Sequence, residues 1–200
     1  MTPDGVRLLA VLGSSTPPGR LHRALAQALD RSREALRELD AETRLIDLSE
    51  LRLSFAYGRD PRELDDDTPA VIEAIEEADA LLFATPIYRG SMTAALKNVF
   101  DLLPVPALEG KVVALASMGG SDHHFLGADR HLRDVLGFFG ALVTPVSVYL
   151  TAADFDDGEP GERAAGALDE LIAGAVSLAT VTHAHMPLGP SPLAARMIRR

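Results

Sequence analysis

The sequence predicts one doubly wound α/β domain, a parallel sheet of five strands with helices on both faces. Three observations carry this prediction. Short, almost wholly apolar runs alternate five times with stretches that repeat at helical spacing. Three of those runs end in Gly, Thr-Pro or Gly-Gly turns. A chain of 200 residues has room for one sizeable core rather than two full domains. Strands that alternate with long crossovers must pair in parallel, because each right-handed crossover has to pack back on the sheet.

The first strand is Val6-Arg7-Leu8-Leu9-Ala10-Val11-Leu12, closed by Gly13, the pattern of a strand buried on both faces. A helix over 21–39 follows, with Leu21, Leu25, Ala28, Leu29, Leu36 and Leu39 on one stripe. The unit then recurs: strand 43–48 and helix 68–78, strand 80–85 and helix 91–103, strand 111–117 and helix 124–139, strand 144–150 and helix 161–180. Five such strands fit the order 2-1-3-4-5, which places ligands beyond the carboxyl ends of the strands, where strands 1 and 3 part. Three loops meet there: 13–20, 86–91 and 118–124.

Two segments lie outside the pattern. The connection 49–67 is long and acidic, and Asp65-Asp66-Asp67 reads as a solvated face and a lead-in to the second helix. The domain is expected over 1–182, followed by a Pro-rich, basic tail at 183–200 that is either disordered or docked on another subunit.

Hydrophobic residues make up 47% and charged residues 24%, an ordinary globular balance. A formal net charge of −10 and a pI near 5.0 speak against a phosphate-backbone footprint, so no nucleic-acid partner is expected. With no cysteine, thiol redox chemistry, iron–sulfur clusters and thiolate zinc sites are excluded, and any redox chemistry must come from a bound cofactor. The sequence reading finds neither a signal core near the start nor an apolar run of about 18 residues. The expectation is therefore no membrane and a cytoplasmic location.

The first loop, Gly13-Ser14-Ser15-Thr16-Pro17-Pro18-Gly19-Arg20, joins a strand to a helix N-terminus. Unpaired N–H groups and the positive end of the helix dipole favour an anion there. Ser14, Ser15 and Thr16 add hydroxyls, and Arg20 and His22 add charge, so a phosphate monoester suits it. Gly19-Arg20-Leu21 lacks the Lys and hydroxyl of a Walker loop, and the two glycines do not make GxGxxG. Capping of the helix by Ser and Thr is the competing structural reading. In the third loop, Ser117, Met118, Gly119 and Gly120 offer main-chain groups to a flat heteroaromatic edge with little Cβ in the way. Asp122, His123 and His124 are adjacent, so their side chains diverge and make a poor metal set; the His183 and His185 pair is weaker still. No metal is expected.

The middle loop carries Thr85-Pro86-Ile87-Tyr88, then Arg89, Gly90 and Ser91, then Leu96-Lys97-Asn98-Val99-Phe100-Asp101. Together with Gly13-Ser14 and Gly119-Gly120, these motifs resemble the NADPH-dependent FMN reductase family of flavodoxin-like proteins. Within it the chain is most similar to the reductases that supply reduced FMN to alkanesulfonate monooxygenases, over about residues 6–150. The family often carries GS-x-R-x-x-S in the first loop; here Thr16 replaces the Arg and Gly19 the Ser, so phosphate binding leans on Ser14, Ser15 and Arg20. Over 126–134, Arg130 stands where the sulfonate-type reductases place a ring in an insertion tied to tetramer formation.

The resemblance implies FMN as flavin and NADPH, or else NADH, as donor. It implies that the main chain of Pro86, Ile87 and Tyr88 holds the flavin with N–H groups facing it, and that Met118, Gly119 and Gly120 meet the pyrimidine edge. Arg89 and Arg20 are the candidates for the NADPH phosphates, with Arg89 also readable as a surface residue lying over Tyr88. Lys97 and Asp101 are spaced for an intrahelical pair. Leu96, Val99, Phe100, Leu102 and Leu103 are expected to pack on the sheet and also to contact a second subunit in a homodimer or homotetramer. A flavin-dependent monooxygenase is the expected acceptor partner. A quinone or azo reductase with bound FMN, or an electron carrier, are the alternatives.

Overall fold

A computed structural model describes residues 5–16 and 18–182. The tail expected at 183–200 lies outside them. The sheet order is β2(Ala41–Asp47), β1(Val6–Leu12), β3(Ala80–Pro86), β4(Val112–Met118), then an edge made of β5(Leu142–Val143) and β6(Val148–Leu150), all parallel. This is the predicted 2-1-3-4-5 order.

Alternate residues of each central strand point to opposite faces. Leu8, Ala10 and Leu12 of β1, with Leu82 and Ala84 of β3, pack against α1(Arg20–Ala35) and α5(Glu162–Thr182). Leu9 and Val11, with Leu81 and Phe83, pack against α2(Thr68–Glu77), α3(Ala94–Leu102) and α4(Gly127–Phe139). Phe83 and Phe100 meet edge to face at 4.9 Å. By length and composition α5 is apolar enough to cross a membrane, a feature the sequence reading did not register. Here its Leu168, Ile172, Ala175 and Val176 are fully buried in the core shared with α1 and the sheet.

Four elements differ from expectation by more than two residues. The fifth strand is not continuous over 144–150. Val113 pairs with Val143 and Ala116 with Val148, so β4 advances three residues while its neighbour advances five and 144–147 loop out. Pro145 has no N–H for the ladder, and Arg133 of α4 takes the carbonyls of Thr144 (2.9 Å) and Pro145 (3.3 Å). The third helix begins at Ala94 rather than 91, because Ser91 closes a hairpin and Thr93 caps the helix by accepting from the Leu96 N–H. The fourth begins at Gly127, after a short 3-10 turn at Asp122–His124. The first ends at Ala35, followed by a 3-10 turn at Arg37–Leu39.

A small antiparallel hairpin, β7(Phe155–Asp156) with β8(Glu159–Pro160), lies outside the main sheet and packs on α1. The acidic run before α2 acts as foreseen: Asp66 accepts from the Thr68 N–H at 2.9 Å and from the Ser54 hydroxyl at 2.6 Å. The Ser54 hydroxyl first, then Thr68, hold the Asp66 carboxyl down at about 2.

Candidate functional site

The carboxyl ends of β1, β3 and β4 are tied together by buried polar contacts. The Gly13 N–H donates to the Ala84 carbonyl at 2.7 Å, and the Thr93 hydroxyl donates to the Gly13 carbonyl at 2.5 Å. Thr85, fully buried, accepts from the Thr93 N–H and donates to the Pro86 carbonyl. A Cβ on Gly13 would stand 2.4 Å from Leu96 Cβ, so the first loop lies directly on α3. The three loops singled out in the sequence are thereby brought to one end of the sheet.

In the first loop Ser14 is buried and its hydroxyl closes the loop on itself, donating to the Thr16 carbonyl at 3.0 Å and accepting from the Thr16 N–H. Ser15, Thr16 and Arg20 are exposed. α1 starts after Gly19 with no side-chain cap and no acidic residue in its first turn. Its leading N–H groups, two hydroxyls and a guanidinium are the donor set of an anion site, and this set fits the phosphate of FMN.

Arg20 is not loose: its guanidinium carbon lies 5.8 Å from the centre of the Phe155 ring, on β7. Arg23, one helical turn along, donates to the Gly158 carbonyl of the same hairpin at 3.0 Å. Phe155 therefore belongs to the site's support. Sequence reasoning missed it because two-residue strands carry no periodicity. His22 turns toward the end of β2, with Nδ1 2.8 Å from the buried carboxylate of Asp47.

The middle loop is a two-residue hairpin. Tyr88 and Ser91 exchange both backbone hydrogen bonds, at 3.0 and 3.1 Å, and Arg89 and Gly90 take φ of 53° and 77°. Both central residues are left-handed, which suits Gly and is uncommon for Arg. The strained conformation turns the exposed Arg89 outward beside the half-exposed Tyr88.

The expectation that the main-chain N–H groups of 86–88 face a flavin needs correcting. Pro86 has none, the Ile87 N–H donates to the Met118 carbonyl at 2.8 Å, and the Tyr88 N–H donates to Ser91. The strand ends are stitched to each other, so over 86–88 this turn offers side chains and carbonyls, and its open N–H groups among the described residues are those of Arg89 and Gly90 at the tip.

In the third loop Ser117 is buried and Met118 half-buried at the end of β4. The Gly119 N–H also turns inward, to the Leu150 carbonyl at 2.9 Å. A Cβ there would lie 2.1 Å from the Tyr149 hydroxyl, so the packing of Tyr149 by itself requires glycine at 119. Gly120 differs: it is exposed, has open space around its Cα and, among the described residues, its N–H has no partner. It is a donor that a heteroaromatic edge can use. Burial, then the charge of Asp122, pushes the Tyr149 phenol up, so it stays a donor, to the Ser121 carbonyl at 2.5 Å.

On α3, Lys97 and Asp101 pair at 2.6 Å as the spacing predicts. Asn98 instead reaches the 51–60 loop, accepting from the Ala56 N–H and donating to the Ser54 carbonyl. Leu96, Val99, Phe100, Leu102 and Leu103 are all buried within the protomer, which leaves none of them for the expected subunit contact.

Residues 6–155 match a protein family described as NADPH-dependent FMN reductase. An NADH-dependent FMN reductase, SfnF, of Pseudomonas fluorescens is 38% identical over 152 residues, covering 76% of this chain and 80% of the relative. An FMN reductase (NADPH) of Pseudomonas aeruginosa is 39% identical over 158 residues, with the same coverage. Among solved structures, the apo form of an NADH:FMN oxidoreductase (EmoB) superposes with a TM-score of 0.72 at 27% identity, covering 86% of this chain and 89% of the other.

Proposed function

This chain belongs to the NADPH-dependent FMN reductase family, and from that premise we propose that it reduces FMN with NADPH or NADH. When bound, the flavin accepts a hydride at N5 from the nicotinamide and a proton from solvent, giving reduced FMN and the oxidised nucleotide. The protein binds and orients both partners. The observation that carries the reading is the uncapped N-terminus of α1, with Ser15, Thr16 and Arg20 around it, beside the hairpin of β3 and the Gly120 edge.

The α1 N–H groups, the Ser15 and Thr16 hydroxyls and Arg20 hold the FMN phosphate, with Ser14 fixing the loop from beneath. Gly120 meets the ring edge, while Pro86, Ile87 and Tyr88 form the wall. The rate would come from holding the nicotinamide against the flavin in a reactive orientation, with no protein acid or base in the transfer. Arg89, exposed at the rim, takes the nucleotide's phosphates.

The rim residues Ser15, Thr16, Tyr88 and Gly120 are exposed, which supports FMN entering and leaving as a substrate. We assign reduced FMN to a flavin-dependent monooxygenase, in the cytoplasm, from a homodimer or homotetramer. The discriminating measurement is turnover of flavin-stripped protein with NADPH, comparing excess FMN against catalytic FMN plus a quinone. Saturation by free FMN is expected. Saturation by the quinone alone would replace the proposal with a quinone reductase that retains its flavin.

A further inference from the structure

The Arg89–Gly90 hairpin is held from outside by α4, a helix with no assigned part in the site. Two contacts do this. Nδ1 of His131 lies 2.6 Å from the Ser91 hydroxyl, at the foot of the hairpin. Gly127, in the first turn of α4, lies so close under the hairpin that a Cβ there would stand 3.0 Å from the Gly90 carbonyl oxygen. The spacing of Gly127 and His131, one helical turn apart, puts both on the same face of α4.

The hairpin needs such support. It spans two residues, its two backbone hydrogen bonds are those between Tyr88 and Ser91, and its central Arg89 sits in a left-handed conformation at φ 53°. Tyr88, Arg89 and Gly90 are exposed, and a Cβ on Gly90 would meet nothing within 4 Å. A strained backbone persists only where its surroundings over-determine it. α4 is anchored in turn: Leu132, Leu136 and Phe139 are buried in the core, and Arg133 joins it to the carbonyls of Thr144 and Pro145.

We propose that His131 and Gly127 are positioning residues, which hold the hairpin so that Arg89 is presented to the pyridine nucleotide and so set the affinity for NAD(P)H rather than for FMN. The inference rests on the reading of Arg89 as the phosphate contact at the rim. FMN is held chiefly by the first loop, which is tied to β3 and α3 through Gly13 and Thr93 and does not touch α4 through any of these bonds. The clamp therefore acts mainly on the nucleotide through Arg89, and reaches FMN only through Tyr88 at the base of the hairpin.

The test is steady-state kinetics with NADPH and FMN varied separately, on the full chain and on R89A, H131A, H131N, G127A and the R89A/H131A double variant. Arg89→Ala is expected to raise KM for NADPH about 10- to 100-fold, by loss of a charged contact. His131→Ala is expected to raise it about 3- to 10-fold, with kcat and KM for FMN within about twofold, because one hydrogen bond behind the contact is lost. His131→Asn, whose amide can occupy the place of Nδ1, should restore most of the wild-type value. Gly127→Ala presses on the hairpin from the backbone side and should reproduce the H131A effect, which keeps the test intact if H131A folds poorly.

The double variant should be no worse than R89A alone, because His131 works through Arg89. The inference is overturned if H131A leaves KM for NADPH unchanged, raises KM for FMN as much, or multiplies with R89A in the double variant. If R89A leaves KM for NADPH unchanged in an active FMN reductase, Arg89 is not the contact and the clamp loses its object, while the reductase reading stands. Absence of FMN reduction by the wild-type protein would sink that reading and this one with it.

Discussion

Gly119 illustrates how a residue can be picked out correctly for a reason that the fold replaces. A pair of glycines after a buried strand marks close approach of something to the backbone, and the sequence alone does not say what. For Gly120 the approach is open to a ligand, whereas for Gly119 the neighbour is the Tyr149 hydroxyl, from a strand 30 residues further on. Gly119→Ala should therefore destabilise the protein by about 1–3 kcal/mol, the usual cost of an extra methyl forced into a packed position. Removing the hydroxyl makes room, so G119A/Y149F should recover part of that loss in urea melts, although Y149F alone removes a hydrogen bond. Gly120→Ala should leave stability nearly unchanged and weaken FMN binding; equal destabilisation by the two alanines would contradict the division of roles.

At the level of elements, what was legible followed from local pattern. The central strands are nearly continuous apolar runs because both faces are covered, and the helices carry one apolar stripe each. The fifth strand misled because 144–150, with Thr144, Val146 and Val148, read as one run, while its interruption is imposed from another element by Arg133. That guanidinium also pairs with Asp129 at 2.8 Å. Burial pushes the Asp129 carboxyl up, yet hydrogen bonding by Arg133 and Ser147 and the charge of Arg133 prevail and hold it below the usual carboxylate range. Arg133→Met should cost about 3 kcal/mol, since it strands a largely buried carboxylate, and D129N/R133M should recover part of it.

α2 gives a pH-dependent counterpart. Asp66 sits at about 2 in the folded protein against an ordinary 3.8, so its contribution is complete above the ordinary value and fades as the pH falls toward 2. Asp66→Asn should lower the unfolding free energy from urea melts at neutral pH by about 1 kcal/mol, for the hydrogen bonds weakened. The gap from wild type should close at roughly pH 2. A gap that persists there would mean that Asp66 acts by packing rather than by charge.

Across the whole molecule, the site is an end of the sheet, not a pocket built by any one segment, and this decided what the sequence revealed. The doubly wound order was legible, and with it the place where three loops converge. Which of their N–H groups remain available was not, because strand ends bond to one another across large sequence separations: Gly13 to Ala84, Ile87 to Met118, Gly119 to Leu150. What remains is an anion site at α1, the hairpin tip at Arg89 and Gly90 and the edge at Gly120, in a protein whose net charge is −10. Binding of a dianionic phosphate against that field must come from the local donors, so FMN and riboflavin should differ sharply. At a concentration 100-fold above its dissociation constant, FMN should stabilise the fold by about 2.7 kcal/mol, or about 5–10 °C in melting temperature for a chain of this size. Riboflavin keeps the ring and lacks the phosphate, and at the same concentration it should raise the melting temperature by only a small fraction of that. Arg20→Ala should narrow the difference, because it removes the charged donor that Phe155 holds in place. Equal stabilisation by FMN and riboflavin would show that the α1 N-terminus does not hold the phosphate and that the flavin, if bound, is gripped by its ring alone.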